Sequence, residues 1–101
     1  MSLKSILYNG EYVIIKPSDI LFAQAESCYC KIITKEKSFV VAKTLKEVTE
    51  FFGLTRVHRS YSINPESVIK INSKDSEIWF TDKKSCFYAR NFDIHTLIEH
   101  V

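Results

Sequence analysis

Ile20-Leu21-Phe22-Ala23-Gln24-Ala25-Glu26-Ser27-Cys28-Tyr29-Cys30-Lys31-Ile32-Ile33-Thr34 is the stretch on which the fold turns. Two runs rich in β-branched and aromatic residues flank a short polar break at Glu26-Ser27, the pattern of two strands joined by a tight turn. Upstream, Ser5-Ile6-Leu7-Tyr8 and Tyr12-Val13-Ile14-Ile15 meet at Asn9-Gly10, whose tolerance of positive φ suits a two-residue hairpin. Lys16-Pro17-Ser18-Asp19 then supplies turn chemistry before Ile20. Downstream, Lys35-Glu36-Lys37 turns the chain into a further strand, Ser38-Phe39-Val40-Val41.

The hydrophobic period then changes from two to about 3.6. Thr44, with Glu47 three residues on, forms a capping-box pattern; Leu45, Val48, Phe51 and Phe52 line one face, and Gly53 stands where a left-handed C-terminal residue belongs. This is the one clear helix. Strand signals resume over Val57 to Ile63, Val68 to Ile71, Ile78 to Phe80 and Cys86 to Tyr88, bounded by Asn64-Pro65-Glu66, residues 72–75 and residues 81–84. Ile94, Leu97, Ile98 and Val101 then predict a terminal helix from about Asn91 through Val101. The expectation is a mostly β fold with a central helix and a short C-terminal one.

The chain has 101 residues, 46% hydrophobic and 26% charged, the size and composition of one globular domain. Two Gly and two Pro with 13% aromatics exclude a linker-rich or collagen-like chain. A net charge of +2 is too small to identify a polyanionic partner, so the placement of charge has to decide. The apolar runs fall well short of the roughly 18 residues a membrane-spanning helix needs, and no charged leader precedes an apolar signal core. An odd number of cysteines, without disulfide-framework spacing, reads as reduced thiols. A cytoplasmic protein is expected. Met1-Ser2-Leu3 reads as an expression remnant, and the helical pattern running to the last residue suggests a domain cut from a longer protein.

The densest unusual segment is Arg56-Val57-His58-Arg59-Ser60-Tyr61-Ser62-Ile63-Asn64, with two guanidinium groups, an imidazole and three hydroxyls. On a regular strand Arg56, His58 and Ser60 share one side and Val57, Arg59 and Tyr61 the other, unless a bend merges them. Arg offers a planar donor fork matched to phosphate or to a guanine edge, and His and Ser add shorter donors. From composition alone, a solvated strand with surface ion pairs is the more ordinary reading.

This block, together with Asp19 to Glu26, Tyr29-Cys30-Lys31-Ile32 and Thr44-Leu45-Lys46-Glu47, resembles the LytTR family of bacterial DNA-binding domains from about Glu11 to Ile98. The family occurs mostly at the C-terminus of two-component response regulators. The resemblance implies short antiparallel sheets stacked side by side, which send loops rather than a recognition helix into successive major grooves. It implies contacts from the turn and strand around Cys28 to Lys31, from the Arg56 to Ser60 block, and from the segment opening the last helix. Carried over residue by residue, the DNA-binding set is Lys31, Arg56, His58, Arg59, Ser60, Arg90 and Asn91. The family usually has Ser-Arg-Arg or similar where this chain has Ala89-Arg90-Asn91, so one phosphate-donating hydroxyl is missing. The resemblance further implies paired direct repeats of double-stranded DNA, a homodimer on that DNA, and a sensor kinase acting through an upstream receiver. It implies neither enzymatic activity nor a cofactor.

Cys28, Cys30, Cys86 and His58 make a poor zinc motif, because a second close ligand pair is missing, and no metal is expected. A Cys and His catalytic pair would need an orienting group and an oxyanion hole that the sequence does not mark. Trp79, Phe80, Phe87 and Tyr88 fit core packing better than a base-stacking platform. His95 and His100 read as surface residues, and Lys35, Lys37, Lys83 and Lys84 as turn lysines able to add non-specific attraction to phosphate. The alternative from another functional class is a protein-interaction module whose basic strand docks an acidic partner.

Overall fold

The computed structural model describes residues 2–101. In chain order it has β1 (Ser5–Tyr8), β2 (Glu11–Ile14), β3 (Ile20–Glu26), β4 (Tyr29–Thr34), β5 (Ser38–Val41), α1 (Leu45–Phe52), β6 (Thr55–His58), β7 (Tyr61–Ile63), β8 (Lys70–Asn72), β9 (Glu77–Trp79) and β10 (Ser85–Phe87). The strands form three antiparallel sheets: β1-β2, a central β5-β4-β3-β7-β6, and β10-β9-β8. The body they build is elongated, 46 × 28 × 26 Å.

Local signals act where they stand in the sequence. Asn9 and Gly10 take φ of 51° and 80°, the left-handed pair that a two-residue hairpin of matching twist requires. The Thr44 hydroxyl accepts the Glu47 N–H at 3.1 Å, and a Glu47 carboxylate oxygen accepts the Thr44 N–H at 3.1 Å, which closes the capping box. Gly53 ends α1 at φ 68°.

The central sheet is buried on both faces, which explains why Ile20 to Ala23 is an unbroken apolar run. On one face Ile20, Ala23, Cys30, Ile32 and Val41 pack with Leu45, Val48 and Phe52 of α1 and with Ile6 and Ile15 of the first hairpin. On the other, Leu21, Phe22, Ile33, Val57 and Ile63 pack with Ile78, Phe80, Cys86, Tyr88 and Ile94. Adjacent residues Leu21 and Phe22 reach the same cluster because the β3-β4 register shifts between Ile20 and Phe22. Each fully buried Ile or Leu contributes about 1.5–3 kcal/mol of transfer free energy, so the two clusters clamp the sheet from both sides.

Three expectations are corrected. Val57 to Ile63 is not one strand: β6 and β7 pair antiparallel around a turn at Arg59-Ser60, and the Arg56/His58 register shift makes Val57 a bulge. The terminal helix shrinks to a single 3-10 turn, Ile94–Thr96, capped by the Asp93 carboxylate, which accepts the His95 N–H at 3.0 Å. One turn is enough to deliver Ile94 and Leu97 to the second cluster, and a short helix lacking further packing is marginal in water. Of the four aromatics assigned to the core, Phe80 and Tyr88 are buried, whereas Phe87 is exposed and Trp79 half-exposed beneath the Lys70 ammonium. Both lie on the outer side of the third sheet, where alternation sends residues adjacent to the buried Ile78 and Cys86.

Candidate nucleic-acid interface

Residues that oppose each other in an antiparallel sheet project to the same face, so register decides which side chains share a surface. His58 opposes Tyr61, Tyr61 opposes Gln24, Gln24 opposes Lys31, and Lys31 opposes Val40. These five form one row across all five strands. Two residues further along the same face, Ile33, Phe22 and Ile63 belong to the cluster under the third sheet, so the row lies on the side away from α1. It falls beyond the third sheet's cover: Val40 is exposed and Lys31, Gln24, Tyr61 and His58 are half-exposed. With strands about 4.8 Å apart, Lys31 and His58 stand roughly 14 Å from each other.

Three turns gather at the same end of the sheet. The β3-β4 turn at Ser27-Cys28 is exposed, with Ser27 at φ 56°. The β6-β7 turn lies beside it, because the Ser60 carbonyl accepts the Ala25 N–H at 2.9 Å. The third is closed by the Phe92 N–H donating to the Ala89 carbonyl at 3.0 Å, which puts Arg90 and Asn91 at its exposed tip. The Ala89 N–H in turn donates to the Val57 carbonyl at 2.8 Å, docking this tip against the bulge of β6. Lys31, His58, Arg59, Ser60, Arg90 and Asn91 thus collect at one end of the central sheet.

Their polar groups are available. His58 Nδ1 accepts the Ser60 N–H at 3.0 Å, which leaves Nε2 as the donor nitrogen of the ring. The His58 ring leans on Tyr61 with centroids 5.3 Å apart. Among the described residues, the Ser60 hydroxyl and the Lys31, Arg59 and Arg90 cationic groups make no hydrogen bond or ion pair. The one ion pair among those residues, Lys43 to Glu47 at 4.0 Å, joins the residue before the N-cap to the first turn of α1. Glu26 and Tyr29 form the next row toward the β3-β4 turn, so one carboxylate borders the cationic end.

Arg56 is placed differently from the expectation. It opposes Ser62, which opposes Ala23 of the α1-side cluster, so Arg56 projects to the opposite face from His58. The bulge at Val57 breaks the alternation that put Arg56, His58 and Ser60 on one side. Its guanidinium reaches back to the turn: Nε donates to the His58 carbonyl at 2.8 Å and Nη2 to the Arg59 carbonyl. Two more residues of the block are also structural. The Ser62 hydroxyl is buried against the Thr49 hydroxyl of α1, and Asn64 donates to the carbonyls of Pro17 and Ile20.

Among the turn lysines, Lys84 donates to the Thr34 and Lys35 carbonyls, each at 2.9 Å, tying the third sheet to the β4-β5 turn. That turn, with Lys35 and Lys37, sits at the far end of β4 from the gathered turns. The three thiols lie apart: Cys28 is exposed at its turn, Cys30 is buried on the α1 side and Cys86 beneath the third sheet. Burial pushes the Cys30 thiol up to about 11 and the Cys86 thiol up to about 12. No group of three His, Cys, Asp or Glu side chains suited to a metal occurs among the described residues.

Sequence reasoning missed Gln24 and Tyr61 as members of the exposed row. The available signal was Gln24 itself, a polar residue interrupting an apolar strand. What joins it to Lys31 and His58 is strand pairing, which local periodicity does not encode.

The sequence matches the family model described as the LytTr DNA-binding domain over residues 10–94. Comparison with curated proteins finds no match. Among solved structures, this chain is similar to the LytTr DNA-binding domain of a methyl-accepting/DNA response regulator from Bacillus cereus, with a TM-score of 0.68 and 14% sequence identity over 85% of this chain and 84% of that one. At that identity the structural likeness speaks for the fold: three small antiparallel sheets with one helix. The family match spans every strand of the central sheet and all three gathered turns, and the chain belongs to the LytTR family of DNA-binding domains.

Proposed function

We propose that the domain binds double-stranded DNA sequence-specifically, as the output module of a bacterial two-component transcription regulator, with no catalytic chemistry of its own. The observation that carries this reading is the gathering of Lys31, Arg59 and Arg90, without an ion pair among the described residues, with His58, Ser60 and Asn91 at one end of the sheet. The roughly 14 Å between Lys31 and His58 is commensurate with a major groove about 12 Å wide, and the exposed turns beside them supply the relief that enters a groove.

In this reading Arg59 addresses a guanine edge with its donor fork, while Lys31 and Arg90 neutralise phosphates. His58 Nε2, the Ser60 hydroxyl and the Asn91 carboxamide add hydrogen bonds that fix register on the backbone. The similar Bacillus cereus domain comes from a response regulator, which supports an analogous setting here. That setting is a cytoplasmic regulator in which an upstream receiver, phosphorylated by a sensor kinase, pairs two such domains as a homodimer on direct repeats. No helix among the described residues is long and apolar enough to cross a membrane.

The test is selection of a preferred duplex from a random pool, followed by isotherms on that duplex and a scrambled one at several salt concentrations. A specific site should bind about 10³-fold or more tighter than scrambled DNA, and both affinities should fall as salt rises. Equal affinity for the two duplexes refutes sequence-specific readout. Absence of duplex binding, with salt-sensitive binding to an acidic protein surface, makes the domain a protein-docking module instead.

A further inference from the structure

Arg56 belongs to the most distinctive block of the sequence, yet its register sends it to the α1 side of the central sheet, away from the row that holds His58 and Lys31. Its guanidinium is engaged from below, donating through Nε to the His58 carbonyl at 2.8 Å and through Nη2 to the Arg59 carbonyl. The first carbonyl belongs to the His58-Arg59 peptide and the second follows Arg59, and the DNA reading places both of these side chains on the duplex. The Arg59 carbonyl lies in the Arg59-Ser60 turn, outside the ladder, and the His58 carbonyl sits at the last β6-β7 pair, opposite Tyr61 and next to the Val57 bulge. The turn is otherwise tied at three points: the Ser60 N–H to His58 Nδ1, the Ser60 carbonyl to the Ala25 N–H, and the Val57 carbonyl to the Ala89 N–H. None of these three holds the Arg59 carbonyl.

We propose that Arg56 is a positioning residue rather than a DNA contact: its planar fork braces the His58-Arg59 backbone from behind and so presents those two side chains to the duplex. This rests on the DNA-binding reading above. A guanidinium suits the role because two donors in a fixed plane span two successive carbonyls, a geometry that a single ammonium does not reproduce. Presentation matters because a turn residue free to sample several backbone conformations must be ordered on binding, which weakens the complex without loss of any direct contact.

The experiment compares Arg56→Ala and Arg56→Lys in the whole domain, each alone and in a background lacking the His58 and Arg59 side chains (H58A/R59A). Binding to the preferred duplex is measured over a salt series, and amide hydrogen exchange of Ser60 is followed in the free proteins. The expected result is that Arg56→Ala loses affinity comparably to removal of a base-reading Arg, roughly 5- to 150-fold, with the salt slope unchanged because no phosphate contact is lost. In the H58A/R59A background the same substitution should change little, since a residue acting through others has nothing left to position. Arg56→Lys should not restore affinity, and Ser60 exchange should quicken in both single variants without DNA present.

A salt slope lowered by about one, with losses that multiply in the double background, makes Arg56 a direct phosphate contact and overturns the proposal. Restoration of affinity by Arg56→Lys does the same, because charge alone then suffices. So does unchanged affinity in both single variants. Failure of the wild-type domain to bind any duplex refutes the DNA reading and the positioning role with it, whereas normal wild-type binding with any of the other adverse results refutes the positioning role alone.

Discussion

Arg59→Ala and Lys31→Ala separate base reading from phosphate neutralisation on the same surface. Arg59 stands at an exposed two-residue turn and its guanidinium has no partner among the described residues, so its truncation leaves no buried group unsatisfied. Folding stability should move by no more than about 0.5 kcal/mol. The binding penalty should be about 1–3 kcal/mol on the preferred duplex, the value of a bidentate Arg to guanine, and discrimination against a duplex mutated at that base should flatten. For Lys31 the signature is salt. Two phosphate contacts, Lys31 and Arg90, contribute a log–log slope of about −1.8, so raising salt from about 50 to about 200 mM weakens binding roughly 12-fold through these two alone. Lys31→Ala should reduce that contribution to about −0.9, or roughly 3.5-fold over the same interval, and should weaken matched and scrambled duplexes alike. Fluorescence anisotropy isotherms on matched, single-base-mutated and scrambled duplexes at four or more salt concentrations measure both quantities. Equal weakening of matched and scrambled DNA by Arg59→Ala would make Arg59 a backbone contact. If neither substitution alters affinity, the gathered turns are not the binding face.

The thiols should react in a fixed order. Cys28 is exposed while burial pushes the Cys30 thiol up to about 11 and the Cys86 thiol up to about 12, so at pH 8 a disulfide reagent should titrate one thiol quickly and the other two only on unfolding. More than one fast thiol in the folded protein contradicts the two-sided burial of the sheet. Ile78→Ala removes a fully buried side chain at the centre of the third sheet and should lower unfolding free energy by about 2–5 kcal/mol in urea titrations, whereas Leu7→Ala, at an exposed hairpin position, should change it by less than about 1 kcal/mol. Glu47 has its carboxyl held below the usual carboxylate range, first by the Thr44 backbone N–H and then by the Thr44 hydroxyl. A depressed folded-state pKa adds stability that is present above the ordinary carboxyl range and is lost as pH falls through the folded value. Glu47→Gln should therefore flatten the acid limb of a stability-versus-pH curve, and an unchanged acid limb would show that the capping box carries no such linkage.

The features legible in the sequence are those whose physics is local. Asn9-Gly10 specifies its hairpin because the left-handed φ values it needs are a property of those two residues. Thr44, Glu47 and Gly53 delimit α1 because caps act within one helical turn. The apolar run from Ile20 to Ala23 announces a strand buried on both faces, and the Arg56 to Asn64 block carries the family resemblance. Alternation along a strand, however, holds only while pairing is regular. One bulge at Val57 sends Arg56 and His58 to opposite faces, turning one into a brace and leaving the other in the exposed row. The terminal apolar spacing was real, but a single 3-10 turn already satisfies it by burying Ile94 and packing Leu97. The candidate surface is assembled by contacts between residues far apart in the chain: Gln24 opposite Tyr61 and Ala89 hydrogen-bonded to Val57. Such pairings are chosen by burial of the whole sheet between its two clusters, a free energy shared over many residues, so tertiary packing alone decides which donors stand side by side.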